Sequence, residues 1–143
     1  METLFYFCCN VIHKLADILN ISYSACNILL FLHILPCIYL LCSFGIGISG
    51  FFKKSKYFGI FNIIIGYLGG LYSIEYLYHN LSEYTLDVNS FNKAVLMLEQ
   101  CAANLGCTYI DINILLFIIC PILIFTTTLI LIMTNNKFTK HDH

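Results

Sequence analysis

Three cysteines are spaced so that they could carry thiol–disulfide chemistry. Cys26 stands at the predicted start of a long apolar segment, whereas Cys101 and Cys107 lie in the one sizeable polar segment, 79–108. A disulfide between Cys101 and Cys107 needs a backbone turn that brings their alpha carbons within about 7 Å. Such a bond persists in an oxidising compartment. The spacing leaves three interpretations open: a redox relay that includes Cys26, one structural disulfide, or free thiols.

Three ionisable side chains lie in or beside the apolar segments. Glu75 and His79 are four residues apart and therefore share a helix face. An ionisable residue in a membrane span is a functional candidate, and the alternative is a hydrogen-bonded pair at the membrane surface. His33 lies deeper, where it could contact a quinone carbonyl or hydrogen-bond to a neighbouring helix. The chain has no CxxC pair, so no metal site is predicted.

The composition indicates a protein that lies within a lipid bilayer. Of 143 residues, 59% are hydrophobic and 10% are charged, and the mean hydropathy is +0.83. In a soluble domain about 25% of residues are charged. We predict an all-α integral membrane bundle, one domain over 1–143, with helices at about 3–19, 27–52, 57–78 and 109–134. The net charge of −1 and the lack of a basic stripe exclude nucleic acid as a predicted partner.

Two lysine clusters predict the topology. Lys53, Lys54 and Lys56 separate two apolar runs, and Lys137 and Lys140 lie in the tail. Because basic residues beside spans stay on the cytoplasmic side, loop 53–56 and tail 135–143 are predicted to be cytoplasmic. Loop 79–108, which carries Cys101 and Cys107, is then non-cytoplasmic. The start of the long helix at Cys26 is predicted to lie on the same side.

Residues 1–21 allow two interpretations. They form either a short first span, which would complete a four-helix bundle, or an amphipathic helix lying in the membrane interface. A short surface helix is also predicted around 95–98. Pro36 is expected to leave a backbone carbonyl of its span unpaired and to kink it.

Small residues form two further patterns in the predicted spans. Such residues let membrane helices approach closely. The two faces consist of Gly45, Gly47 and Gly50, and of Gly66, Gly69 and Gly70.

The order of these features resembles the DsbB family of disulfide-bond-forming membrane proteins. Cys26 lies at the start of a second helix, a short basic loop follows, and Cys101 and Cys107 lie in a loop before the last helix. Segment 70–79 looks like the end of that family's third helix, and 107–113 looks like the entry to its fourth. Tyr23 stands where the family has the first cysteine of a CxxC, and the chain has no arginine.

The resemblance implies a thiol–disulfide oxidoreductase of a bacterial inner membrane. Cys26, Cys101 and Cys107 would be catalytic, and electrons would pass from a soluble periplasmic thiol protein toward a membrane quinone. The implied quinone-binding residues are His33, Glu75 and His79.

Two interpretations from other classes stand beside the oxidoreductase. One is a non-enzymatic multi-pass membrane subunit or structural protein, whose glycine faces pack against partner helices. The other is a transporter or channel, for which Glu75 and His33 are the polar residues available along a path.

Overall fold

The computed structural model describes residues 1–53 and 55–133, and within these ranges the chain is helical and contains no strand. Thr134, the predicted end of the last helix, lies outside the described residues, as do Lys54, Lys137 and Lys140. The helices are α1 (Glu2–Leu19), α2 (Tyr23–Asn27), α3 (Leu35–Phe51), α4 (Lys56–Glu83), α5 (Val88–Leu105), α6 (Tyr109–Ile114) and α7 (Cys120–Met133).

Two π-helical segments join some of these helices end to end. Ile28–Ile34 connects α2 to α3, and Leu115–Ile119 connects α6 to α7. Among the described residues, three continuous helices are therefore long and apolar enough to cross a membrane: Tyr23–Phe51, Lys56–Glu83 and Tyr109–Met133. This confirms the prediction of an all-helical chain with three helices of spanning length. Helix α1 is not among the three.

Each π-helical segment precedes a proline. A proline has no N–H, and its ring clashes with the carbonyl four residues earlier, so a wider turn relieves the clash. The carbonyl that faces Pro36 belongs to Leu32, and it accepts a hydrogen bond from Asn80 Nδ2 at 2.9 Å. A side chain from α4 thus donates to a carbonyl to which Pro36, lacking an N–H, cannot donate.

Two helix boundaries differ from the sequence expectation. The first long helix begins at Tyr23 rather than at Asn27, because the Ser22 hydroxyl caps it by accepting a hydrogen bond from Ala25 N at 3.2 Å. Helix α4 runs to Glu83 rather than to 78, since the polar residues after 78 include no helix breaker. The surface helix expected around 95–98 is the much longer α5.

The chain divides into two compact units. The first unit contains Met1–Leu35 and Tyr78–Pro121, and the second contains Pro36–Leu77 and the described residues from Ile122. In the first unit the buried residues include Cys26, Ile28, Ile112 and Ile114. In the second unit the buried residues are largely small or polar, among them Ser49, Asn62, Ser73 and Thr128.

Asp87 caps the amino-terminal end of α5, and its carboxylate makes the stability of the first turn depend on pH. Its carboxylate accepts hydrogen bonds from Ser90 N at 2.7 Å and from the Thr85 hydroxyl at 2.9 Å. The bond from the Ser90 backbone, followed by the one from Thr85, holds the pKa of the Asp87 carboxyl below its usual value. The stabilisation is therefore complete above the ordinary aspartate pKa, and it is lost as the pH falls through the lowered value.

We expect the first turn of α5 to open as the pH falls below about 4. Amide hydrogen exchange at Ser90 in detergent micelles would measure this opening. Asp87→Asn keeps a good cap without a titrating group, so exchange at Ser90 should then lose this acid dependence. An unchanged acid dependence in Asp87→Asn would show that another group controls the turn.

Candidate functional site

The three candidate cysteines all belong to the first unit, but they differ in exposure. Cys26 is 0% exposed and packs with Ile12 and Ala16 in a buried apolar cluster. Cys101 is exposed near the end of α5, and Cys107 is half-buried just beyond that helix. All eight cysteines are free thiols. Exchange with a soluble protein is therefore open to Cys101 in this structure, whereas Cys26 is closed to solvent.

The chain reverses sharply between Cys101 and Cys107. Gly106 adopts a left-handed conformation with φ 68°. Its N–H donates to Ala103 O at 3.3 Å, and the N–H of Cys107 donates to Ala102 O at 3.0 Å. This pair of bonds is the Schellman motif, in which the residue after the turn folds back on the last turn of the helix. Cys107 is thereby brought to the part of α5 that carries Cys101.

Helix α1 ends in the same motif. Asn20 is left-handed with φ 55°, and its N–H donates to Asp17 O at 3.2 Å. The N–H of Ile21 donates to Ala16 O at 3.0 Å. Each of these residues has its counterpart 86 positions later, at the end of α5. Both helices have 18 residues, so α1 and α5 match from end to end.

The helices that follow the two turns also match. Ser22 and Thr108 cap them, each accepting a hydrogen bond at 3.2 Å from the N–H three residues later. Asn27 Nδ2 donates to Tyr23 O at 2.9 Å, and its counterpart Asn113 donates to Tyr109 O at 2.8 Å. Both sequences read Tyr-x-x-x-Asn-Ile-Leu-Leu-Phe, and both continue through a π-helical segment to a proline. We refer to residues 2–31 and 88–117 as the first and second modules.

Aromatic contacts between the modules are reciprocal. Phe5 of the first module meets Tyr109 of the second edge to face, with ring centroids 6.2 Å apart. Their counterparts Phe91 and Tyr23 meet in the same way at 6.1 Å. Phe31 contacts its own counterpart, Phe117, at 4.3 Å. Reciprocal contacts of this kind are the property of two units related by an approximate two-fold axis.

A small cavity of about 50 Å³ lies between the modules. Four matched pairs contribute to its lining: Phe5 and Phe91, Tyr23 and Tyr109, Asn27 and Asn113, and Phe31 and Phe117. Cys8 and Cys9 also line it, and no lining residue is acidic, basic or histidine. The cavity has room for water or for a small uncharged molecule, since one water needs roughly 10–15 Å³.

The three residues implied for a quinone have different surroundings. None of the three residues implied for it lines this cavity, which is far smaller than the roughly 300–1,000 Å³ of typical ligand pockets. His33 belongs to the first unit, where its Nε2 is buried without a hydrogen-bond partner among the described residues. His79 is exposed and lies 3.7 Å from Glu83, and Glu75 is exposed in the second unit.

Comparisons with other proteins found no match to the chain among protein-family models, curated proteins or solved structures. The two modules nevertheless allow an internal comparison. The counterpart of Cys26 is Ile112, which is 2% exposed, and the counterparts of Cys101 and Cys107 are Leu15 and Ile21. Aliphatic residues thus fill all three positions in the other module, and at the buried Cys26 this is expected because the cysteine acts there as a small apolar side chain.

The sequence interpretation missed the modules and the aromatic residues that join them. The signal was available as the string Tyr-x-x-x-Asn-Ile-Leu-Leu-Phe, which occurs from Tyr23 and again from Tyr109. Segments 2–19 and 88–105 share few residues, and the sequence predicts a possible span for the first and a loop with a short surface helix for the second. The pairing of Phe5 with Phe91 therefore became visible only through the contacts with Tyr109 and Tyr23.

Proposed function

We propose that the chain is a non-enzymatic multi-pass membrane protein that serves as a structural helical subunit. The observation that carries this proposal is the distribution of side chains in the second unit. Asn62 is 0% exposed, whereas Phe51 and Tyr57 are 74% and 88% exposed. A soluble protein buries its large apolar residues, and a lipid-facing helix pair exposes them while polar groups pair inside.

Hydrogen bonds within the second unit support the membrane assignment. Asn62 Nδ2 donates to the Ser49 hydroxyl at 3.2 Å, and that hydroxyl donates to Ile46 O at 2.8 Å. The hydroxyls of Ser73 and Thr128 donate to carbonyls four residues earlier in their own helices. Three of these side chains thus find donors or acceptors within the unit, as expected for helices that face lipid, whereas Asn62 Oδ1 is buried without a hydrogen-bond partner among the described residues.

Glycines bring the helices of the second unit into backbone contact. A Cβ added to Gly66 would lie 2.5 Å from the backbone of Gly47, and one added to Gly50 would lie 2.6 Å from the Gly59 carbonyl oxygen. These glycines pack within the chain. Partner helices would accordingly meet the exposed apolar faces rather than this glycine seam, by which we mean Gly47, Gly50, Gly59 and Gly66.

In the proposed topology, Tyr23–Phe51, Lys56–Glu83 and Tyr109–Met133 span the bilayer. Helices α1 and α5 lie in the interface on the non-cytoplasmic side, because each carries one apolar and one polar face. Lys53 and Lys56 lie on the cytoplasmic side. The identity of the membrane as a bacterial inner membrane rests on the family resemblance.

Purification from native membranes tests the structural role. The chain should resist extraction at high pH and, in mild detergent, should be recovered with a second membrane polypeptide at a fixed ratio by native mass spectrometry. A chain recovered alone, with dithiol oxidase activity that disappears in Cys101→Ser, would overturn the proposal. That result would favour the thiol–disulfide oxidoreductase, for which the exposed thiol of Cys101 is the supporting observation.

A further inference from the structure

We infer that Cys101 and Cys107 are a reversible disulfide site that closes the turn between α5 and α6. The proposal does not depend on the structural role assigned above. It rests on the Schellman motif at Gly106 and on the equivalent motif in the first module.

The motif places the two cysteines at positions whose side chains commonly meet. The N–H of Cys107 is bonded to Ala102 O, one residue beyond Cys101, at 3.0 Å. In this motif the residue after the left-handed position often makes an apolar contact with the last turn of the helix. Disulfide formation needs the two alpha carbons within about 7 Å. The bond to Ala102 O folds Cys107 back onto the last turns of α5, where Cys101 lies.

The first module shows what side chains at these two positions do. Leu15 and Ile21, the counterparts of Cys101 and Cys107, both pack against the cluster formed by Ile12, Ala16 and Cys26. They thus lie on the same side of the α1 terminus. The matched backbone hydrogen bonds indicate that Cys101 and Cys107 share one side of the α5 terminus in the same way. An apolar contact in one module is replaced by two thiols in the other.

The different exposures of the two thiols determine which of them reacts first with a soluble disulfide. The thiolate of Cys101, which is exposed, attacks one sulfur of the disulfide, forms a mixed disulfide and releases the first thiolate. The half-buried Cys107 then attacks the Cys101 sulfur as a thiolate, forms the intramolecular bond and releases the second thiolate. The two protons lost by the cysteines pass to the two released thiolates. The soluble disulfide gains two electrons, and the cysteine pair loses them.

Thiol counting on the full chain tests the proposal. The chain is reconstituted in phosphatidylcholine vesicles, treated with glutathione disulfide, denatured and alkylated. We expect six of the eight cysteines to be alkylated, with peptide mapping that assigns the bond to Cys101 and Cys107. Reductant should restore all eight, and Cys37→Ser should form the same bond. Eight alkylated thiols after oxidation, a bond between other cysteines, or glutathione retained on Cys101 would each overturn the inference.

Substitution of Gly106 tests whether the turn brings the thiols together. Gly106→Val should slow bond formation about tenfold, because a side chain in the left-handed conformation costs roughly 1–2 kcal/mol. Gly106→Asn should stay close to the original rate, since Asn20 adopts this conformation in the first module. Equal rates in the two variants would overturn the role of the turn.

A second cysteine pair, introduced at the equivalent positions of the first module, tests the geometric argument without any substitution at Gly106. Leu15→Cys with Ile21→Cys, in a chain that has serine at 101 and 107, should also form a disulfide. Failure of this pair to form one, in a chain of unchanged helicity, would contradict the geometric argument.

Discussion

Replacing Gly66 by alanine is expected to destabilise the chain by about 3 kcal/mol or more, the upper end of what overpacking costs. The added Cβ would lie 2.5 Å from both the Cα and the N of Gly47 and 2.7 Å from Ser43 O. All three are backbone atoms, which cannot rotate away as the end of a side chain can. The two helices would have to separate, and the contacts along the glycine seam would be lost together.

Gly70→Ala is the matched control for this substitution. Both glycines lie in α4, but a Cβ added to Gly70 meets nothing within 4 Å. Alanine should therefore be neutral there or stabilise the helix by about 0.5–1 kcal/mol. Reversible unfolding in mixed detergent micelles, followed by circular dichroism, measures both variants. Equal stabilities of Gly66→Ala and Gly70→Ala would show that the helices do not approach closely at Gly47.

The three long helices were predictable because composition and length determine them. An apolar run of about 20 residues without charge leaves the backbone no other way to pair its polar groups in lipid. The sequence also marked the small-residue faces of Gly47 and Gly66. It could not assign their partner, since a glycine is equally suited to a helix of the same chain and to a helix of another protein.

Helix ends and the arrangement of the candidate site depended on individual side-chain hydrogen bonds. The Ser22 hydroxyl starts a helix four residues before the predicted boundary. Cys26 then falls inside that helix, where it is buried rather than exposed at the membrane surface. A topology argument can place three cysteines on one side of a membrane, but it cannot separate the buried Cys26 from the exposed Cys101.

The modules were hidden because most of their equivalence is geometric. The left-handed residue is Asn20 in one module and Gly106 in the other, and the cap is Ser22 in one and Thr108 in the other. Each pair is interchangeable for a physical reason: asparagine tolerates the left-handed region, and both hydroxyls accept the capping bond. Residue identity undercounts such matches, whereas backbone conformation reveals them directly.

Asn80→Ala is expected to destabilise the first unit by about 1–3 kcal/mol, since it removes a donor from the half-buried carbonyl of Leu32. Asn80 is 2% exposed, and its Nδ2 donates to Leu32 O at 2.9 Å. Pro36 has no N–H to offer that carbonyl, and in the proposed membrane topology no water takes its place. The loss should therefore exceed that of an ordinary side-chain hydrogen bond.

Asn27→Ala supplies the comparison with an ordinary bond. Asn27 Nδ2 donates to Tyr23 O at the same distance, 2.9 Å, but from within its own helix. Tyr23 O faces the N–H of Asn27 four residues later, so it keeps a helical donor when the side chain is removed. Loss of the Asn27 side-chain hydrogen bond should lower the free energy of unfolding by about 0.5–1.5 kcal/mol. Comparable losses at the two positions would argue that Leu32 O does not depend on Asn80.

Pro36→Ala should make the Asn80 side chain dispensable. Alanine at 36 restores an N–H that can donate to Leu32 O, so Asn80→Ala should cost far less in that chain than in the original. The difference between the two costs is the coupling energy of a double-mutant cycle, measured by unfolding in micelles, and interactions of this kind reach about 0.5–3 kcal/mol. Additive effects would mean that Asn80 stabilises the unit by packing alone. A clear coupling would show that α4 supplies the hydrogen bond that the proline removes.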